Sequence, residues 1–216
     1  MARSECKMRK LFLLLLCVFF ATSSHIACAG VHEALPYNFV ISKYVSTFEE
    51  TYQINPTDKS TYVGSIKNSA LRIGTHYDLS NKDGWQATGI VRIISLGSLY
   101  PWAKDIDIYD TRKVQIGMID GSITTLESAK FDIYNYDDAG KATQTGIAYA
   151  NPDFTRFVIM SFPNTHHPIA EMYRDFNDGT WHVSVHYPEA IDDRIMRIFA
   201  GFVIDYQDKF VAASED

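Results

Sequence analysis

Short runs of alternating apolar and polar residues fill most of this chain, and clusters of Asn, Asp, Gly and Pro separate them. The first runs are Asn38-Phe-Val-Ile41 and Tyr44-Val-Ser-Thr-Phe48, β-branched and aromatic as strands prefer. From Thr51 a loose repeat sets in. Tyr52-Gln-Ile54 leads through Asn55-Pro-Thr-Asp58 to Tyr62-Val-Gly-Ser-Ile66. Tyr77-Asp-Leu79 leads through Asn81-Lys-Asp-Gly84 to Thr88-Gly-Ile-Val-Arg-Ile93. Ile106-Asp-Ile108, Phe131-Asp-Ile133 and Phe157-Val-Ile-Met160 open three more units of the same form. A last unit runs from Tyr173 through Asn177-Asp-Gly179 to Trp181-His-Val-Ser-Val185. Each unit predicts two strands around a turn, a β-hairpin. Gly64, Gly89, Gly117 and Gly146 recur at a spacing of about one unit, the mark of repeated supersecondary structure.

The pattern changes once, at Ile195-Met-Arg-Ile-Phe-Ala-Gly-Phe-Val-Ile204. Pro188 can open a helix, and Glu189, Asp192 and Asp193 are acids near its start, where the helix dipole favours them. Asp192 can equally serve as the N-cap. Asp193 and Arg197 are four apart and can pair on one face. Beyond Arg197 the run is apolar on every side, so the predicted helix, about 189–205, is buried rather than amphipathic. Ten helical residues rise only about 15 Å, half the hydrocarbon core of a bilayer, so a transmembrane span is not expected in this run. Ile195, Ile198, Phe199, Phe202 and Val203 are its expected core contacts.

Consecutive hairpins make an antiparallel meander, and closing the meander removes its exposed edges. A ring of a dozen strands is too wide for its own side chains to fill. The C-terminal helix is the apolar element available to occupy the middle. The expected fold is mainly β: a closed antiparallel barrel of about twelve strands over residues 37–210, wrapped around one hydrophobic helix, with a tail at 211–216. These features resemble the tubby C-terminal-like superfamily: aromatic-or-Ile-x-Ile before each turn, Gly-x-Ile or Gly-Ile after it, and a closing apolar helix that ends Phe-Val-Ile-Asp205. The likeness is greatest to its LURP-one-related branch, with the phospholipid scramblases as relatives, and it covers roughly Phe39 to Asp205. It implies a twelve-stranded barrel around a C-terminal helix and a contact with lipid. The scramblases' calcium-binding acidic segment has no counterpart of sufficient length in Asp192-Asp193, and their acylated cysteines have none in residues 30–216.

The N-terminus has a separate origin. Arg3, Lys7, Arg9 and Lys10 precede the apolar run Leu11–Ala21, and Ala27-Cys-Ala29 has the small-x-small form of a cleavage site. This is the pattern of a secretory signal peptide over residues 1–29, followed by a short leader, 30–36. His25 stands three residues before Cys28, where a lipoprotein signal carries a branched apolar residue, so cleavage after Ala29 is the expected maturation. Cys6, Cys17 and Cys28 are the three cysteines of the chain, and all fall in the removed segment. No disulfide, thiolate nucleophile or Cys-ligated zinc is then available. The full sequence has a net charge of −6, and cleavage removes four basic residues with one acid. The balance argues against nucleic acid as a partner. The one Asn-x-Ser/Thr triplet, Asn55-Pro56-Thr57, has proline in its middle and is no glycosylation sequon, and an exported chain without a sequon points to a bacterial periplasmic or extracellular protein.

Chemistry is sparse. Gly-x-Ser-x-Gly, His-Glu-x-x-His and the P-loop are absent from the sequence. His166 and His167 lie in a turn, and His182 and His186 share a strand face by the period of two. The four would make a metal site, and so a metal-dependent hydrolase, only if the last hairpins bring them together. The acids around Asn81-Asp83, Asp110 and Asp137-Asp138 fit turn chemistry rather than a calcium loop. Tyr100 and Trp102, in Leu-Tyr-Pro-Trp, are a candidate surface contact for lipid or glycan. The expectation is an exported, non-enzymatic binding module without a cofactor, whose partner is lipid or protein. A structural envelope protein is the further alternative.

Overall fold

The computed structural model describes residues 38–58, 60–92, 103–122 and 129–214. The signal segment 1–29, the leader 30–36 and the Tyr100/Trp102 pair lie outside the described residues, as does the end of the tail.

Among the described residues twelve strands follow one another: β1 (Asn38–Val45), β2 (Glu49–Pro56), β3 (Gly64–Ser69), β4 (His76–Asn81), β5 (Gly84–Val91) and β6 (Ile106–Asp110), then β7 (Gln115–Ser122), β8 (Lys130–Tyr136), β9 (Ala142–Ala150), β10 (Arg156–Ser161), β11 (Pro168–Arg174) and β12 (Trp181–Val185). Each pairs antiparallel with the next, and β1 pairs with β12 through Phe39–Val183 and Ile41–Trp181, so the barrel is closed. Two expected pairs of strands prove continuous. Residues 38–45 form one strand, and Tyr173-Arg174 belong to β11 rather than to a separate last unit.

The Ile-x-Ile repeat has a geometric meaning. In four of the units the register slips directly after its second residue: at Leu79, Ile108, Ile133 and Ile159. Such irregularities of bulge type bend a strand and increase its twist, which closing a ring requires. Before the slip, the two apolar residues of each motif point inward and are buried, as with Ile106 and Ile108 or Phe131 and Ile133.

The helix of the described residues, α1 (Asp193–Ser214), runs through the barrel. It starts later and ends later than the predicted 189–205. Tyr187 to Ala190 form a turn, with the Ala190 N–H donating to the Tyr187 carbonyl at 3.2 Å. Asp192 then caps the helix, its Oδ1 accepting from the Arg194 N–H at 2.9 Å. From Ile195 to Gln207 every residue is buried, on all faces of the helix. Phe199 and Phe202 pack edge-on against Phe131, with ring centroids 5.7 and 5.4 Å away. Arg197, also buried, reaches Asp193 at 3.2 Å, the partner its spacing predicts.

The repeated glycines show how helix and wall fit. A Cβ on Gly89 would lie 2.6 Å from Ile198 Cγ2, one on Gly146 would lie 3.1 Å from Ile191 Cδ1, and one on Gly117 would collide with Ile195 Cδ1. Ile195 and Ile198 lie three apart on one face of the helix, and Ile191 stands two residues before the helix begins. Three wall glycines therefore receive three isoleucines. At β3 the roles reverse: Ile66 projects from the wall onto Gly201 of the helix, 3.0 Å from where its Cβ would be.

Candidate functional site

Because the strands alternate in direction, every connection that follows an odd-numbered strand opens at the same end of the barrel. Three of these are neighbours around the ring, β11–β12, β1–β2 and β3–β4, since β12 pairs with β1 and β2 with β3. They carry large apolar side chains in solvent. Tyr44, Val45, Phe48, Leu71, Ile73 and Phe176 are between 57% and 91% exposed. The described large apolar residues of the opposite end, Tyr62, Trp85, Val114, Phe162 and Tyr187, reach only 41–56%. Scattered exposed apolar residues are ordinary, but six at one end, two closing β1 and four on the adjacent loops, make a candidate contact surface.

The local sequence explains the exposure. β1 ends at Val45, and Ser46 closes a turn to Glu49, its N–H donating to the Glu49 carbonyl at 2.9 Å. Phe48 is thereby held at a tip instead of in a wall. Between the β1–β2 and β3–β4 loops lies a cleft of about 360 Å³, lined by Phe48, Glu49, Asn68 and Arg72 among others. Arg72 forms an ion pair with Asp78 at 2.8 Å.

The end of α1 emerges inside this arc and is tied to it. Lys43 of β1 bridges Glu50 and Asp208, each at 2.9 Å. Burial works against the Lys43 charge, but the two carboxylates outweigh it and raise its pKa. Arg174, at the end of β11, donates to Gln207 Oε1 at 2.6 Å. Deeper in, Tyr77 donates to the buried Asp205 carboxylate at 2.6 Å, and Lys209 donates to the same oxygen at 2.8 Å. Burial first, and then the Asp205 charge, push the Tyr77 phenol far up, so it stays a neutral donor. The arc thus has apolar tips outside and a layer of paired charged groups beneath, with Asp205 engaged through Oδ2.

The predicted histidines are placed as follows. His166 and His167 occupy the β10–β11 connection, and His186 directly follows β12, at the end opposite the apolar arc. His182 lies near the start of β12, toward the arc. The structure does not bring the four together, because the length of β12 separates His182 from the other three. His182 instead approaches Asp175 and Asp178 of the β11–β12 connection. The acidic turns do hold their own backbone. Asp110 Oδ1 accepts from the N–H groups of Arg112 and Val114, and Asp137 Oδ1 from those of Ala139 and Lys141.

The sequence reading missed the apolar arc. Phe48 and Val45 carry the same signal as a buried strand, and Leu71 and Ile73 stand in a stretch without periodicity. The available clue was the short Ser-Thr before Phe48, which favours a turn. No protein-family model matches the chain, and no curated protein does.

Proposed function

We propose that this chain is an exported, non-enzymatic β-barrel binding module that attaches to a lipid surface through the apolar arc of its β11–β12, β1–β2 and β3–β4 connections. The observation that carries this reading is the set of exposed side chains formed by Val45 at the end of β1 and by Phe48, Leu71, Ile73 and Phe176 on the adjacent loops. Tips on separate loops suit a bilayer, which accepts apolar groups without shape complementarity; a protein partner needs a continuous, well-packed patch. The helix occupies the middle of the barrel, so a ligand meets this molecule from outside. Among the described residues no helix is long and apolar enough to cross a membrane. The resemblance to tubby-like domains and the signal-peptide pattern of residues 1–29 support the same reading, with a bacterial periplasm or exterior as the setting.

The net charge, −6 for the full sequence and more negative once residues 1–29 are removed, makes apolar insertion, not attraction to anionic headgroups, the driving term. Zwitterionic vesicles should therefore suffice. Flotation of the purified protein with phosphatidylcholine vesicles is expected to bring it to the top of the gradient. Replacing Phe48, Leu71 and Ile73 together by serine should abolish flotation with little change in melting temperature, because those side chains are already in water. A wild-type protein that floats with no lipid class would overturn the lipid reading and leave a protein or glycan partner, or a purely structural role.

A further inference from the structure

We propose that Asp175, Asp178 and His182 form a binding site for one divalent transition-metal ion of the zinc class. All three belong to the β11–β12 hairpin, and one ligand atom of each lies within 4.8 Å of the others. The hairpin presents them by its own geometry. The Asp175 N–H donates to the Thr180 carbonyl at 2.8 Å, and the Gly179 N–H donates to the Asp175 carbonyl at 2.9 Å, so the turn is closed at its base. Gly179 sits at φ +70°, where a side chain would be strained. Asp175 Oδ1 accepts from the N–H and Nδ2 of Asn177, and Asp178 Oδ1 accepts from the N–H and Oγ1 of Thr180. One oxygen of each carboxylate thus fixes the orientation of the group.

The imidazole supplies the independent observation. Tyr173, its cross-strand partner, stacks on it with rings 5.1 Å apart and 7° from parallel. Nε2 of His182 is shielded from solvent and makes no hydrogen bond. It faces Asp175 Oδ2 at 3.9 Å, too far for a hydrogen bond. A buried imidazole nitrogen without a partner is costly. Two ligands sharing a tetrahedral zinc, each about 2.0–2.2 Å from it, stand roughly 3.4 Å apart, so closing this gap takes about half an ångström.

The ligand types select the ion. Calcium takes six to eight oxygens, whereas a nitrogen beside two carboxylates suits zinc and its neighbours. Three protein ligands leave a position for solvent. The site stands independently of the lipid reading, because its ligands are not the apolar tips.

Metal-stripped full-length protein titrated with Zn²⁺ by calorimetry is expected to bind one ion per chain. His182→Ala and Asp178→Asn should each weaken binding by about ten-fold or more. A His166→Ala/His167→Ala double variant should bind as the wild type does. Thermal melts identify any variant that fails to fold, and Asp178→Asn, at an exposed turn, keeps the test decisive if His182→Ala does. Absence of saturable Zn²⁺ binding, binding that survives both ligand variants, or a preference for Ca²⁺ over Zn²⁺ each overturns the proposal. None of these outcomes bears on flotation.

Discussion

Glu50 stands at the edge of the apolar arc and shows how single residues hold it. Its burial disfavours the charge, but the Lys43 ammonium at 2.9 Å and the Tyr52 hydroxyl at 3.1 Å outweigh this and hold the carboxyl below its ordinary value of 4.5. A depressed carboxylate adds stability above the unfolded pKa and loses it as pH falls through the lower folded pKa. Urea midpoints should therefore drop as the pH is taken from above 4.5 to well below it. Glu50→Gln should flatten part of that slope, and Glu49 and Asp110, also depressed, should keep the remainder. A variant whose midpoint tracks the wild type at every pH would remove Glu50 from this account. Arg197 makes the complementary point: a guanidinium inside a barrel is tolerable because a carboxylate one helical turn away meets it.

At the scale of elements, the seam between helix and wall carries the fit. Gly117→Ala drives a methyl into Ile195, and overpacking of this kind typically costs about 1–3 kcal/mol. The nearest obstructing atom is Ile195 Cδ1, which valine lacks. Ile195→Val placed in the Gly117→Ala background should recover part of the loss, as measured by chemical denaturation; strictly additive costs would sink the seam. The elements themselves were legible in the chain. Alternation with Asn/Asp/Gly turns located both strands of every hairpin, and an apolar run too short to span a bilayer located the buried helix. Their boundaries were less so. Nothing in Ser42-Lys43 marks whether β1 bends or continues, and Pro188 fits a turn as well as a first helical residue. The glycine repeat was visible, but its purpose was not, since a missing side chain is explained only by what fills its place. The Asp175, Asp178 and His182 group was hidden for a related reason: the residues are near in sequence, but their convergence depends on the closed turn between them.

For the whole molecule, the helix and the ring are one structure. Phe131 and Phe157 point at Phe199, and without the helix the inward faces of the wall would enclose a wide apolar void. A chain ending at Pro188 is expected to show no cooperative thermal transition by circular dichroism. A fragment that melts cooperatively would mean the ring stands alone. The candidate site belongs to this scale as well, because apolar tips on separate loops become one surface only when the ring sets them side by side. The pairing of β1 with β12 has a last consequence, for timing. The strand made first waits for the strand made almost last, and the core arrives later still. Such distant contacts make folding slow, and no half of the ring can be completed while the rest is on the ribosome. A polypeptide built in this order completes its ring only once its last strand has been made, which would suit the export proposed above, through a membrane channel and before the chain takes its shape.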